Sequence, residues 1–159
     1  KERMMKPHSL LCAFVFLLPG IVVASEIKGK FIRVLDGDTI GLLQDSTPVR
    51  LRLLNIDAQE KNQPFGRWSG EQLKALIASQ PVTVTYDHKD RYGRVLGRVV
   101  AADGTEANRY MVQQGAAWVY GRYNTDQALP AIQQDAQASK RGLWAESNPV
   151  PPWEWRHSR

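Results

Sequence analysis

Four acidic residues lie in two short segments of the chain. Asp36 and Asp38 flank Gly37 in one tight turn, and Asp57 and Glu60 follow the next apolar run. Carboxylates that converge repel one another unless a cation lies among them, and their oxygen atoms favour Ca²⁺ or Mg²⁺ over Zn²⁺. The pattern predicts a cation site, with solvated acids around a common turn as the alternative. The twelve-residue ligand spacing of an EF-hand is absent.

Two arginines accompany these carboxylates. Arg52 interrupts an apolar run, and Arg94 ends a Tyr-Gly-Arg turn. A guanidinium within an apolar strand is costly without an anionic partner. Two of them beside a bound cation would clamp a phosphate and stabilise the added charge of a five-coordinate phosphorus. The alternative is ion pairing with the acidic residues. Strict strand alternation puts Arg52 and Asp57 on opposite faces, so a shared site requires a bulge or bend between them.

Aromatic residues offer a second kind of contact. Tyr92, Tyr120 and Tyr123 lie in polar or turn contexts, where they could stack on nucleobases. The five tryptophans are more typical of core or docking positions. His88 and His157 are isolated, so a hydrolytic general base would be a carboxylate.

The predicted elements place the acidic segments at one end of a β-ribbon. Strands are predicted at 27–34, 39–43, 49–56, 82–86 and 95–101, and helices at 68–79, 106–114 and 125–140. A turn near residues 46–47 pairs the second and third strands, with residue 38 opposite about 55 and residue 36 opposite about 57. The acidic turn and Asp57 would therefore meet.

The fold class expected from this order is α+β, mainly β. Five short strands fit a five-stranded oligonucleotide-binding (OB-fold) barrel with about three packed helices. An open antiparallel sheet with helices on one face is the alternative. The 159 residues suffice for one such core.

The two ends of the chain differ from the middle. Residues 1–25 have a basic start, a short apolar run and small residues at the end, which predicts a secretory signal cut after Ala24 or Ser25. Secretion to the periplasm or outside the cell would follow; an uncleaved anchor is the alternative. Cleavage would remove Cys12, the only cysteine, and change 21 basic and 16 acidic residues into 18 and 15. That modest basic excess suits a polyanion. Residues 26–146 would form one domain, and the Pro- and Trp-rich tail at 147–159 is expected to be irregular.

An ordered set of motifs spans residues 27–144. They are VLDGDT at 34–39, RLLNIDAQE at 52–60, QPFG at 63–66, DRYGR at 90–94, Asn108 with VQQG at 112–115, and GLW at 142–144. This set resembles the staphylococcal nuclease (thermonuclease) family, and the tail is similar to that of secreted bacterial members.

The resemblance implies an OB-fold barrel with three helices and a Ca²⁺-dependent nuclease that cleaves DNA and RNA without sequence preference, leaving 3′-phosphate ends. It implies a monomer with no membrane attachment after signal removal and no stable protein partner. The metal ligands would be Asp38, Asp57 and the backbone carbonyl of Ala58. Asp36 would orient water behind these ligands, and Thr39 would support them.

The resemblance also implies the catalytic residues. Glu60 would be the general base, and Arg52 with Arg94 would hold the scissile phosphate and stabilise the transition state. Tyr92 and Tyr123 would line the nucleotide pocket.

One departure from the family pattern lies beside the proposed base. The family usually has proline before the glutamate, and Gln59 stands there in this chain. Proline fixes φ, so its loss is expected to loosen Glu60 and slow the reaction without abolishing it. A non-catalytic single-strand-binding OB-fold protein is the alternative function; it would not need the acidic and arginine residues that this chain keeps. A structural Ca²⁺-binding envelope protein would not need the arginines.

Overall fold

The computed structural model describes residues 24–78 and 80–159. Nearly all of the predicted signal, residues 1–23, lies outside the described residues. The strands are β1 (Ser25–Asp36), β2 (Thr39–Gln44), β3 (Thr47–Leu53), β4 (Ile56–Asp57), β5 (Val82–Lys89), β6 (Val95–Val100) and β7 (Trp118–Val119). The helices are α1 (Gly66–Ile77), α2 (Ala107–Gln113), α3 (Leu129–Ala138) and α4 (Pro152–His157), with a 3-10 turn at Gly142–Ala145.

Five strands close into a barrel in the order β1-β2-β3-β6-β5, with β5 pairing back to β1. All pairs are antiparallel except β3 with β6, which is parallel. The predicted five-stranded barrel is confirmed, and the open sheet is wrong. Strands β4 and β7 form a separate two-stranded sheet beside the barrel.

Alternating apolar residues of the strands fill the barrel. Ile40, Leu42, Leu51 and Leu53 are fully buried, as every second position of a half-buried strand should be. Helix α1 covers β1 with the apolar face that carries Leu73. The barrel thus provides a rigid base for the strand ends that carry the acidic segments.

The helices are close to expectation along most of the chain. Three predicted helices are present, although α3 begins at Leu129 rather than near residue 125. The expectation of an irregular tail is wrong for residues Pro152–His157, which form α4. Proline is tolerated in the first turn of a helix, where the missing N–H would have no partner, so the Pro-rich segment starts α4 instead of preventing it. No helix within the described ranges is long and apolar enough to cross a membrane.

The β2–β3 ribbon has a register two positions away from the predicted one. Thr39 pairs with Arg52 and Gln44 with Thr47, because the turn is at Asp45 and Ser46. Asp45 adopts a left-handed φ of 54°, which aspartate accepts more readily than most residues. The acidic turn therefore lies opposite the start of a bend after β3, rather than opposite Asp57 itself.

Candidate active site

A bend between β3 and β4 brings Arg52 and Asp57 to the same side. Asn55 has a left-handed φ of 72° and ends the alternation of β3. Its side-chain oxygen accepts hydrogen bonds from the backbone N–H of Thr125 at 3.0 Å and the hydroxyl of Thr125 at 3.2 Å. Its carbonyl accepts from the N–H of Tyr120 at 2.8 Å. The bend that the sequence requires is thus present, and three hydrogen bonds from Thr125 and Tyr120 hold it.

Arg52 lies between the two carboxylates that the sequence nominated as metal ligands. Its Nη2 is 3.3 Å from Oδ1 of Asp57 and 3.6 Å from Oδ2 of Asp38. Its Nη1 donates to the carbonyls of Leu53 and Ile56, both at 3.2 Å. Arg52 therefore forms ion pairs with these acids, as the alternative reading of the sequence predicted.

Asp38 is buried and held by short hydrogen bonds. Its Oδ2 accepts from the N–H of Ala58 at 2.7 Å, and its Oδ1 accepts from the hydroxyl of Thr39 at 2.9 Å. Asp36 accepts from the N–H of Asp38 at 3.1 Å and so lies directly behind it. Gly37 is required between them, because a Cβ there would collide with the side chain of Ser69 in α1.

Glu60 lies at the start of a loop that is folded tightly on itself. Its N–H donates to Oε1 of Gln63 at 3.1 Å, and its carbonyl accepts from the N–H of Gln63 at 2.9 Å. A Cβ on Gly66 would overlap the carbonyl of Glu60, so only glycine permits this approach.

Gln59 is anchored rather than loose. It is buried, its Oε1 accepts from Nε1 of Trp118 at 3.1 Å, and its Nε2 donates to the carbonyl of Val150 at 3.2 Å. The approach to Glu60 is thus fixed by hydrogen bonds instead of by a proline ring, which corrects the structural expectation. The lower rate stays a prediction.

Arg156 of α4 is a second arginine in contact with the acidic residues. Its Nη2 lies 2.7 Å from Oδ2 of Asp57, and its Nη1 lies 3.2 Å from Oδ1 of Asp57 and 2.7 Å from Oε1 of Glu60. These hydrogen bonds raise the pKa of Arg156 further above its ordinary value. The sequence motifs assign no role to Arg156.

The pKa values of the acidic groups are shifted in different directions. Burial, with the negative charge of Asp38, raises the pKa of Asp36 to about 8. Burial also raises the pKa of Asp57 to about 6, against the lowering effect of Arg156. At Asp38 burial acts in the same upward direction, but Arg52 and hydrogen bonds from its neighbours outweigh it, so the pKa is lowered. Asp38 therefore holds its negative charge most strongly, whereas burial disfavours the charged forms of Asp36 and Asp57.

Arg94 and Tyr92 belong to the β5–β6 turn next to this cluster. Arg94 pairs with Asp90 at 2.7 Å, and its guanidinium lies 5.6 Å from the ring centre of Tyr92. The parallel β3–β6 register sets Arg52 beside Leu96, and Arg94 lies in the turn just before β6, two residues from Leu96. This register brings the turn of Arg94 close to Arg52, although the described contacts of Arg94 are with its own turn.

Tyr123 contacts Tyr120, and it is the ring of Tyr120 that lies beside Arg52. Tyr123 is exposed and packs edge-to-face on Tyr120 at 4.9 Å. The guanidinium of Arg52 is 5.9 Å from the ring centre of Tyr120, and Trp153 stacks on the same ring at 5.6 Å. Tyr120 is therefore a site residue that the sequence analysis considered but did not select.

The donor set fits a hard divalent cation. No group of three or more His, Cys, Asp or Glu side chains in residues 24–78 and 80–159 is arranged to hold a metal alone. Two carboxylates, those of Asp38 and Asp57, face one another across Arg52, and a backbone carbonyl with water would have to complete the coordination, as is common for Ca²⁺ and Mg²⁺. Two guanidiniums already approach these oxygens, which shows that the position attracts cations.

The residues missed by sequence reasoning come from distant segments. Arg156 and Trp153 are about a hundred residues from Asp57, and no local pattern links them. The only available signal was the pair of tryptophans in a charged tail, which is typical of a segment that docks.

Comparison with known proteins agrees with this geometry. Residues 50–146 match the family model described as "Staphylococcal nuclease homologue". An "Uncharacterized endonuclease" of Escherichia coli is 52% identical over 155 residues, covering 98% of this chain and all of the relative. The "Micrococcal nuclease" of Shigella flexneri is 37% identical over 158 residues, covering 93% of this chain and 91% of the relative. The resemblance noted in the sequence is confirmed: this chain belongs to the staphylococcal nuclease family.

Proposed function

We propose that the protein is a metal-dependent nuclease that uses Ca²⁺ to hydrolyse the phosphodiester bonds of DNA and RNA without sequence preference. The observation that carries this proposal is that three carboxylates are linked by two shared arginines. Arg52 pairs with Asp38 and Asp57, and Arg156 pairs with Asp57 and Glu60. A mere nucleic-acid-binding barrel has no need for buried carboxylates at its phosphate surface. Membership of a nuclease family supports the same reaction class.

Each residue has a role that its position allows. Glu60 is partly exposed and accepts a proton from the attacking water. Arg52 of β3 and Arg94 of the turn before β6 hold the phosphate and stabilise charge that develops on its oxygens. Asp36 orients water from behind Asp38, and Thr39 fixes one oxygen of Asp38. Tyr92 and Tyr123 are exposed and available to stack on bases.

The metal would be held by Asp38, Asp57 and the carbonyl of Ala58. When bound, it supplies positive charge that neutralises the phosphate and lowers the pKa of water.

We propose 3′-phosphate products by the family resemblance. We also propose that residues 1–25 are removed and that a monomer acts in the periplasm or outside the cell.

The decisive experiment uses the purified chain from residue 26 with plasmid DNA and with RNA. Degradation is expected with Ca²⁺ and not with chelator, and Glu60→Gln should be at least about a hundredfold slower, within the usual range for a lost general base. Loss of degradation in Ca²⁺ would remove the enzyme hypothesis and leave nucleic-acid binding. Equal rates for Glu60→Gln and wild type would remove the base role.

A second variant tests the phosphate clamp. Arg94→Lys keeps the charge but loses the planar fork that binds two phosphate oxygens, so a large fall in kcat is expected with little change in stability. Arg98→Lys is the matched control. Arg98 lies within β6, four residues after Arg94, and pairs with Glu106 instead of with the turn. Unchanged turnover for Arg94→Lys would show that Arg94 does not touch the phosphate.

A further inference from the structure

The C-terminal tail places the guanidinium of Arg156 in the site. Arg156 occupies both oxygens of Asp57, which is almost fully buried, and one oxygen of Glu60. With Arg52 also on Asp57, the carboxylate has three donated hydrogen bonds from two guanidiniums. A carboxylate so occupied has little capacity left for another cation.

The same contact affects the proposed general base. Glu60 has an ion-pair partner in Arg156 at 2.7 Å. The hydrogen bond from this guanidinium takes up part of the capacity of Glu60 to accept a hydrogen bond from water. One side chain thus engages both the metal ligand and the base.

The tail is fastened independently of these charges. The carbonyl of Val150 accepts hydrogen bonds from Gln63 at 2.6 Å and from Gln59 at 3.2 Å. Trp153 packs against Trp118 and stacks on Tyr120. These anchors keep the guanidinium beside Asp57 at a high effective concentration, so it competes with a free cation.

From these contacts, and resting on the proposed metal-dependent function, we propose that Arg156 is a built-in competitor of the metal. It occupies Asp57 and Glu60 while metal is absent and must leave Asp57 when metal binds. The side chain is partly exposed, so the guanidinium can swing outward while Val150 and Trp153 stay docked. The tail therefore lowers the metal affinity of the site, and the site does not fill at low metal concentrations.

The test is calorimetric titration of Ca²⁺ into the full mature chain, without substrate. Arg156→Gln is expected to bind Ca²⁺ about tenfold more tightly than wild type, within the usual range of coupling between two sites. Arg156→Lys should lie between them, because it keeps the charge but loses the paired contact. Trp153→Ala, which loosens the tether, should also tighten binding. Arg159→Gln is the control, since Arg159 lies over the ring of Trp155.

Thermal unfolding gives an independent readout. In chelator, Arg156→Gln should unfold at a lower temperature than wild type, because the buried Asp57 loses one of its two guanidinium partners; saturating Ca²⁺ should narrow that gap. Equal or weaker Ca²⁺ binding by Arg156→Gln would overturn the competition and leave the nuclease proposal intact. Absence of Ca²⁺ binding by every variant would overturn the competition and the calcium site together.

Discussion

Asp36 is an acidic group held where its charged form is disfavoured. Burial and the neighbouring Asp38 raise its pKa from 3.8 to about 8. The folded state therefore keeps a proton that the unfolded chain has lost above about pH 4. Its contribution to stability is full below the unfolded value and is lost as the pH rises through the folded value.

This shift predicts that the metal-free protein is less stable at pH 8 than at pH 6. One pKa unit corresponds to about 1.4 kcal/mol, so this group should lower the free energy of unfolding by about 1–2 kcal/mol across the window. Asp57, with a pKa near 6, contributes mainly below that window. Urea unfolding in chelator at the two pH values measures the effect.

Two variants decide whether Asp36 is the source. Asp36→Asn keeps an oxygen for the N–H of Asp38 and should remove most of the difference between the two pH values. Asp103→Asn changes an exposed carboxyl whose pKa is lowered, so the difference should persist. A pH dependence that survives in Asp36→Asn would contradict the assignment.

At the scale of elements, the site depends on the bend that joins β3 to β4. Asn55 adopts a left-handed conformation there and receives two hydrogen bonds from Thr125. Asn55→Ala should lower the free energy of unfolding by about 2–4 kcal/mol, because alanine tolerates the left-handed conformation less well than asparagine and both hydrogen bonds from Thr125 are lost. Urea unfolding measures it, with nuclease activity as a second readout because Asp57 follows the bend.

Glycine at the same position separates the two causes. Asn55→Gly keeps the backbone conformation and loses only the side-chain contacts, so it should be less destabilised than Asn55→Ala. The reverse order would mean that backbone strain is not what asparagine relieves.

Local patterns accounted for the barrel and for the meeting of the two acidic segments. Alternating apolar residues in five segments predict strands, and the placement of Arg52 and Asp57 on opposite faces of one alternating strand requires a bend between them. The register was two positions off because a hairpin's turn type depends on backbone conformation at Asp45. The role of Arg156 was beyond reach, since it depends on where Trp153 and Val150 dock.

The whole molecule is only weakly basic. After loss of the predicted signal, 18 basic residues stand against 15 acidic ones, and several arginines are already paired. A general electrostatic field of this size is too small to hold a polyanion strongly. Binding should therefore depend on a few placed arginines rather than on net charge.

Salt dependence distinguishes these two modes. Each phosphate neutralised on a single strand contributes about −0.7 to the slope of log K against log salt. Two arginines at the phosphate predict a slope near −1.4 for a short single-stranded DNA, measured by fluorescence anisotropy in chelator so that no cleavage occurs. Arg94→Gln should reduce the magnitude by about 0.7, because it removes one placed charge. Arg109→Gln should leave it unchanged, because Arg109 lies on α2, away from the β5–β6 turn and outside the site, where it pairs with Asp126. A slope steeper than about −4, or equal losses for both variants, would mean that diffuse charge holds the nucleic acid.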